Sequence, residues 1–308
     1  MKIGKKLITM IIVSGMVITT LTGCGTKGGD EKVTVKVGSK EFSEQLLLGQ
    51  LTMLALEDAG YKVEDNTGVA GSDKNRSALI NEDIDIYWEY TGTAWQSHLQ
   101  HDTPLTDSQE CYDEVKAEDS KNGIDWLNYA AVNNTYTVIM KKTKADELKI
   151  KTLSELGSYI KANPSKLKFA VDQEFTARAD GLPGLEKAYG FKMAEDNLLV
   201  MDNGIIYKSL KEDQADIGMG FSTDGRIKAF GLVNIEDDLA FFPAYNPAPN
   251  LRSEFVKANP EVAEILNKIS EKLTNENMTQ MNYLVDIEQK QTKVVAEEWL
   301  KAEGLISK

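Results

Sequence analysis

Histidine and cysteine are almost missing from this chain, with 2 of each in 308 residues. A zinc or imidazole-based metal centre has hardly any ligands to draw on, and no disulfide framework can be built. Neither a metal nor a cofactor is therefore expected. Positive charge is also short: 35 Lys+Arg stand against 48 Asp+Glu, a formal net charge of -13. That balance lacks the basic footprint a nucleic-acid partner requires. No G-x-x-x-x-G-K-[ST] run is present, and Gly218-x-Gly220 is not followed by the third glycine of a dinucleotide site. The GFSTDG segment around Ser222 does not have the G-x-S-x-G spacing, and His98 and His101 lie in a polar stretch with no evident acid-base role. An extracytoplasmic hydrolase is disfavoured on these grounds. Proline is scarce too, at 7 residues, while 42% of the chain is hydrophobic and 27% charged, which is the composition of an ordered globular protein. Single cores seldom outgrow roughly 250 to 300 residues, so two modest lobes are expected.

What is present begins with an address. Three lysines in Met1 to Lys6 precede the apolar run Leu7 to Leu21, LITMIIVSGMVITTL. The run is short and Thr-rich for a span that needs about 20 apolar residues, and reads as a signal peptide over 1–23. It ends in Leu21-Thr22-Gly23-Cys24, which resembles the bacterial lipobox and implies that Cys24 becomes a lipidated first residue. An ordinary signal peptide with a chance cysteine is the other reading. Residues 24–32, Gly-rich and polar, form a flexible tether, so the exported part begins near Val33 and hangs from the outer face of the cell membrane. Cys111 is left without a partner and is expected to pack as a small residue.

The remaining chain alternates strands and helices. Val33 to Val37 reads as a strand, Phe42 to Ala59 as a helix stopped by Gly60, Tyr61 to Glu64 as a strand, Asp73 to Asn81 as a helix and Ile84 to Tyr87 as a strand. Tyr136 to Lys141, Lys168 to Val171 and Leu198 to Met201 continue the pattern. Such βαβ alternation predicts a mostly parallel sheet flanked by helices, with its ligand crevice beyond the carboxyl ends of the strands. Asn259-Pro260 supplies an N-cap and N1 pair for a helix carrying Val262, Ile265, Leu266, Ile269 and Leu273 on one face, and helical segments continue to Leu300.

Ala78 to Thr93 (ALINEDIDIYWEYTGT) aligns without gaps to Ser209 to Asp224 (SLKEDQADIGMGFSTD). Asp85 meets Asp216, Ile86 meets Ile217 and Tyr90 meets Phe221. Chance similarity between two helix-to-strand connections is one reading. The other is an internal repeat in which each lobe places an aromatic ring at the mouth of a strand, where an interlobe ligand would sit.

Four ordered segments, VGSKEFSEQ (Val37 to Gln45), EYTGT (Glu89 to Thr93), EFTARADGLP (Glu174 to Pro183) and Ala244-Tyr245, resemble the substrate-binding proteins of osmoprotectant ABC importers, the glycine betaine, choline and carnitine binding family. The resemblance runs over nearly the whole exported chain. It implies an α/β, two-lobed class II periplasmic-binding-protein fold with the ligand cleft between the lobes. By the same resemblance, lobe one is 33–132 with 243–308 and lobe two is 133–242. The protein would perform no chemistry and would hand its ligand to the permease and ATPase subunits.

A quaternary ammonium has a diffuse charge and no N–H to donate, so it must be surrounded by aromatic faces, each worth roughly 0.5 to 2 kcal/mol. The motifs carry over Tyr90, Tyr136, Phe221 and Tyr245 as the rings; Phe221 stands where many relatives carry Tyr. Lys40 and Arg178 match positions that bind a ligand carboxylate, which suits the planar fork of arginine and the helix N-termini nearby, and Thr93 can add a hydroxyl donor. Two cations without an anionic partner would favour a zwitterion over choline. An amino-acid binder, lacking the cage, is the rival within this fold, and a purely adhesive surface lipoprotein is a third class. Trp88 and Trp95 flank the first ring and are possible further walls.

Overall fold

Two five-stranded sheets are built from separate stretches of chain. In the computed structural model, which describes residues 32–307, the first contains β1 (Thr34–Gly38), β2 (Lys62–Asn66), β3 (Ile86–Tyr90), β4 (Ile124–Trp126) and β10 (Pro247–Arg252), in the order β2-β1-β3-β10-β4. The second contains β5 (Tyr136–Lys141), β6 (Phe169–Val171), β7 (Leu198–Val200), β8 (Ile217–Phe221) and β9 (Leu232–Ile235), ordered β7-β6-β8-β5-β9. The proposed signal peptide, Cys24 and all of the tether but Lys32 lie outside the described residues. Among the described residues no helix is long and apolar enough to cross a membrane.

The sheets are mixed rather than mostly parallel. β1 runs parallel to β2 and β3, and β6 parallel to β7 and β8, but β10 is antiparallel to β3 and β4, and β5 to β8 and β9. The exceptions share one cause. β5 and β10 are the first strands laid down after the chain passes from one sheet to the other, so no βαβ crossover within a sheet fixes their direction. The two passages run side by side: the Asn134 N–H donates to the Tyr245 carbonyl at 3.0 Å, the Tyr245 N–H to Asn133 Oδ1 at 2.8 Å, and Asn246 Nδ2 to the Val132 carbonyl at 2.7 Å.

The sequence repeat has a structural counterpart. β3 and β8 occupy the same place in the two sheet orders. Asp85 Oδ2 accepts from the Lys36 N–H at 2.9 Å and Asp216 Oδ2 from the Lys168 N–H at 2.8 Å, and each aspartate also meets a cation, Arg252 or Lys144. Each acidic turn therefore pins the start of its strand to its neighbour. β3 runs further than the sequence suggested, to Tyr90. Glu89 breaks the apolar run on paper, yet it is fully buried.

α1 (Ser43–Asp58) buries Leu47, Leu48 and Leu51 against the first sheet and the C-terminal helices Pro260–Lys272, Asn275–Asp286 and Thr292–Ala302, which contribute Val262, Leu266, Ile269, Met278, Val295 and Leu300. A helix enclosed on both sides is apolar all round. Asn259 stands at the N-cap with Pro260 opening the helix, as expected, but its side chain makes no capping bond; its Nδ2 donates back to the Phe255 carbonyl at 3.0 Å, closing the preceding Ser253–Ala258 helix. Cys111 is buried, and burial pushes its thiol up to about 11.

Candidate functional site

The strand ends bring the rings together. Tyr90 and Phe221 are the last residues of β3 and β8, Tyr136 opens β5 directly opposite Phe221, and Tyr245 lies two residues before β10. Thr93 follows β3 in the Thr91–Thr93 turn, Lys40 lies between β1 and α1, and Arg178 lies in the loop after β6. All seven line one cavity, together with Phe42, Ser72, Asn134, Asp172, Glu174 and Asn203, and the cavity opens into a wider cleft.

The walls are close-packed rings. Tyr136 stacks on Phe221 with centroids 5.3 Å apart and meets Tyr245 edge-on at 5.4 Å. Phe42, which the sequence reading missed, lies nearly parallel to both Phe221 (5.1 Å, 13°) and Tyr90 (6.3 Å, 19°). Its position in the KEF turn, one residue before α1, was the available signal. The tryptophans do not join. Trp88 is buried under α1 with its indole N–H on Thr52 Oγ1 at 2.8 Å, and Trp95 stacks on His101 at 3.5 Å.

Charge is arranged around the rings. Lys40 Nζ lies 5.2 Å from the Tyr90 centroid and pairs with Glu89 Oε1 at 2.6 Å; Glu89 also meets His98 at 3.1 Å and takes the Tyr90 N–H at 2.7 Å. Burial works to raise the Glu89 carboxyl, but Lys40 and His98 overcome it and hold it at about 2. Arg178 lies 5.6 Å from the Tyr136 centroid, bonds both oxygens of Asp180 and reaches Glu174 Oε1 at 2.8 Å. The Tyr245 hydroxyl donates to the same Asp180. Burial opposes ionisation of Glu174 as well, yet Lys40 and Arg178 keep it below the usual range. Asp172 has no such cation, and burial lifts it to about 6.

These pairings revise one step of the sequence argument. Lys40 and Arg178 already have carboxylate partners inside the protein, so their charge alone does not demand an anionic group on the ligand. Glu89 stood in EYTGT, and Glu174 and Asp180 stood beside Arg178 in EFTARADGLP, but no spacing rule announces that they pair with Lys40 and Arg178. As they stand the rings fill the space between them, leaving about 30 Å³; parted by the width of a ligand, they can hold a compact cation against several aromatic faces while a rim of oriented donors and acceptors fixes whatever the cation is attached to.

Residues 33–302 match the family described as the substrate-binding domain of ABC-type glycine betaine transport systems. The chain belongs to that family. It is 36% identical to a glycine-betaine-binding protein of Pseudomonas aeruginosa over 278 residues, 89% of each chain. It is 33% identical over 276 residues to the ergothioneine transport permease/ergothioneine binding protein EgtU of Helicobacter pylori, covering 89% of this chain and 48% of that one. Among solved structures, apo YehZ from Escherichia coli superposes with a TM-score of 0.64 at 32% identity, covering 88% of this chain and 99% of that one. Like other members of the glycine betaine family, the protein is a two-lobed, extracytoplasmic substrate-binding component of an ABC transporter.

Proposed function

We propose that this protein captures a quaternary ammonium zwitterion of the glycine betaine kind between its lobes, without chemically changing it, and delivers it to a permease driven by an ATPase. Tyr90, Tyr136, Phe221 and Tyr245 enclose the ammonium, while Lys40, Arg178 and Thr93 orient the carboxylate. The observation that carries this reading is the convergence of rings from both sheets on one cavity. A ligand gripped by groups from both lobes favours the closed arrangement, which is the signal a permease can read. Lobe boundaries at 132/133 and 242/243 belong to the same reading, supported by the strands on either side of them joining different sheets. So does attachment to the outer membrane face through Cys24.

A second reading is favoured by one detail. Asn203 Oδ1 is buried without a hydrogen-bond partner on the cavity wall, beside Asp172. Unused acceptors suit a betaine that also carries an N–H, such as ergothioneine.

The test is a thermal-shift screen against glycine betaine, carnitine, proline betaine, choline, ergothioneine and the common amino acids, followed by calorimetry. A ligand at one hundred times its dissociation constant stabilises the native state by about 2.7 kcal/mol. Stabilisation by quaternary ammonium compounds alone is expected. A response only to ordinary amino acids would leave the fold intact and remove the cage. Arg178→Ala should weaken betaines more than choline; equal losses would remove Arg178 from the ligand's carboxylate.

A further inference from the structure

Behind the cage lies a buried carboxylate. Glu44, in the first turn of α1, is 2% exposed and does not line the cavity. Its Oε1 accepts from the Tyr90 hydroxyl and from Asn134 Nδ2, both at 2.8 Å, and its Oε2 accepts from Thr223 Oγ1 at 2.6 Å and Asn282 Nδ2 at 2.9 Å. These donors come from the end of β3, the passage into β5, the turn after β8 and the Asn275–Asp286 helix. An ionised carboxylate offers about four lone-pair sites, and here all four are filled, so a proton would have to displace a donor. Burial lifts the Glu44 carboxyl above its usual value even though the four donors pull the other way; it is the geometry of those four donors that holds the anionic form.

The contrast with Asp180 is informative. Both carboxylates hold the hydroxyl of a cavity tyrosine, but Asp180 is neutralised by Arg178, whereas the four groups bonded to Glu44 are all uncharged. A buried charge without a counter-charge is costly and is compensated when an opposite charge arrives nearby. Burial and Glu44 keep the Tyr90 phenol protonated, so its O–H remains a donor. Donation to an anion in a low-dielectric interior polarises the phenol and enriches its ring in electrons, which strengthens the attraction of that ring for a cation.

We propose that Glu44 is a specificity-determining residue: acting through the Tyr90 hydroxyl, it makes the site prefer a positively charged group over a neutral group of the same shape. This rests on the reading of the cavity as a quaternary ammonium cage. The experiment is calorimetry of the full chain and its Glu44→Gln, Tyr90→Phe and double variants with two matched pairs. One is glycine betaine and its uncharged-carbon isostere tert-butylacetate; the other is choline and tert-butylethanol. The preference for the ammonium member is expected to fall about tenfold in each single variant, and no further in the double variant, because both changes cut one relay. Equal weakening of both members of a pair, or an unchanged preference, would reduce Glu44 to a structural role. Should Glu44→Gln fail to fold, Tyr90→Phe decides alone: it keeps the ring and removes the relay, so an unchanged preference overturns the proposal. A wild-type protein that binds neither ammonium compound would instead overturn the cage, and this inference with it.

Discussion

Replacing Asp172 by asparagine should make the protein more stable at neutral pH. Asp172 follows β6 on the cavity wall and is 9% exposed. Burial raises its carboxyl from an ordinary 3.8 to about 6, despite the Phe175 N–H that donates to Oδ1 at 2.6 Å. A carboxyl raised by folding holds its proton more tightly in the native than in the unfolded chain. Its favourable contribution is therefore complete below the unfolded value and is lost as pH climbs through the folded one. Above pH 6, keeping the ionised group buried costs the native state roughly two pH units at about 1.4 kcal/mol each, or about 3 kcal/mol. Asparagine keeps an oxygen for Phe175 and cannot ionise. Urea unfolding of both proteins between about pH 4 and 8 should show the variant gaining up to about 3 kcal/mol at the alkaline end and converging with wild type at the acid end. A difference that stays flat across this range would refute the reasoning.

Two further substitutions probe the supports of the site. Arg178→Ala strands the fully buried Asp180 and should cost about 3–5 kcal/mol in thermal or urea unfolding, with Asp180→Asn recovering part of it; no recovery would mean that the ion pair is not the cause. Gly184→Ala places a Cβ 1.9 Å from the Ala179 carbonyl and 2.8 Å from Phe241 Cζ, so the loop bearing Arg178 must shift. Ligand affinity should fall about tenfold although residue 184 does not line the cavity, since small misplacements of positioning groups are expensive; calorimetry giving wild-type affinity would show the loop to be compliant.

The parts of this molecule that could be read from the sequence are those written in local pattern. The rings of Tyr90 and Phe221 sit where a strand ends after an acidic turn, and the repeat between Ala78–Thr93 and Ser209–Asp224 states that twice. Glu44 shows what local pattern conceals. In the sequence it is an acidic residue in the first turn of a helix, which the helix dipole favours without any further role. Its partners Asn134, Thr223 and Asn282 lie 90, 179 and 238 residues away and meet only once both sheets have formed. Strand direction was concealed for a related reason. β5 (YTVIMK) reads like any parallel strand, while β10 (PAPNLR), with Pro247 and Pro249, does not read as a strand at all; what sets the direction of both is the side from which the chain arrives.

That arrival has a mechanical consequence. Tyr136 and Tyr245 stand within a few residues of the paired backbone segments that cross between the sheets. Any turning of one lobe against the other about those segments uses them as a fulcrum, and the two tyrosines ride close to it. Groups near a fulcrum travel short arcs while the outer rims travel long ones. A difference in the bulk of what lies between the rings would thus show as a larger difference in gape at the rims.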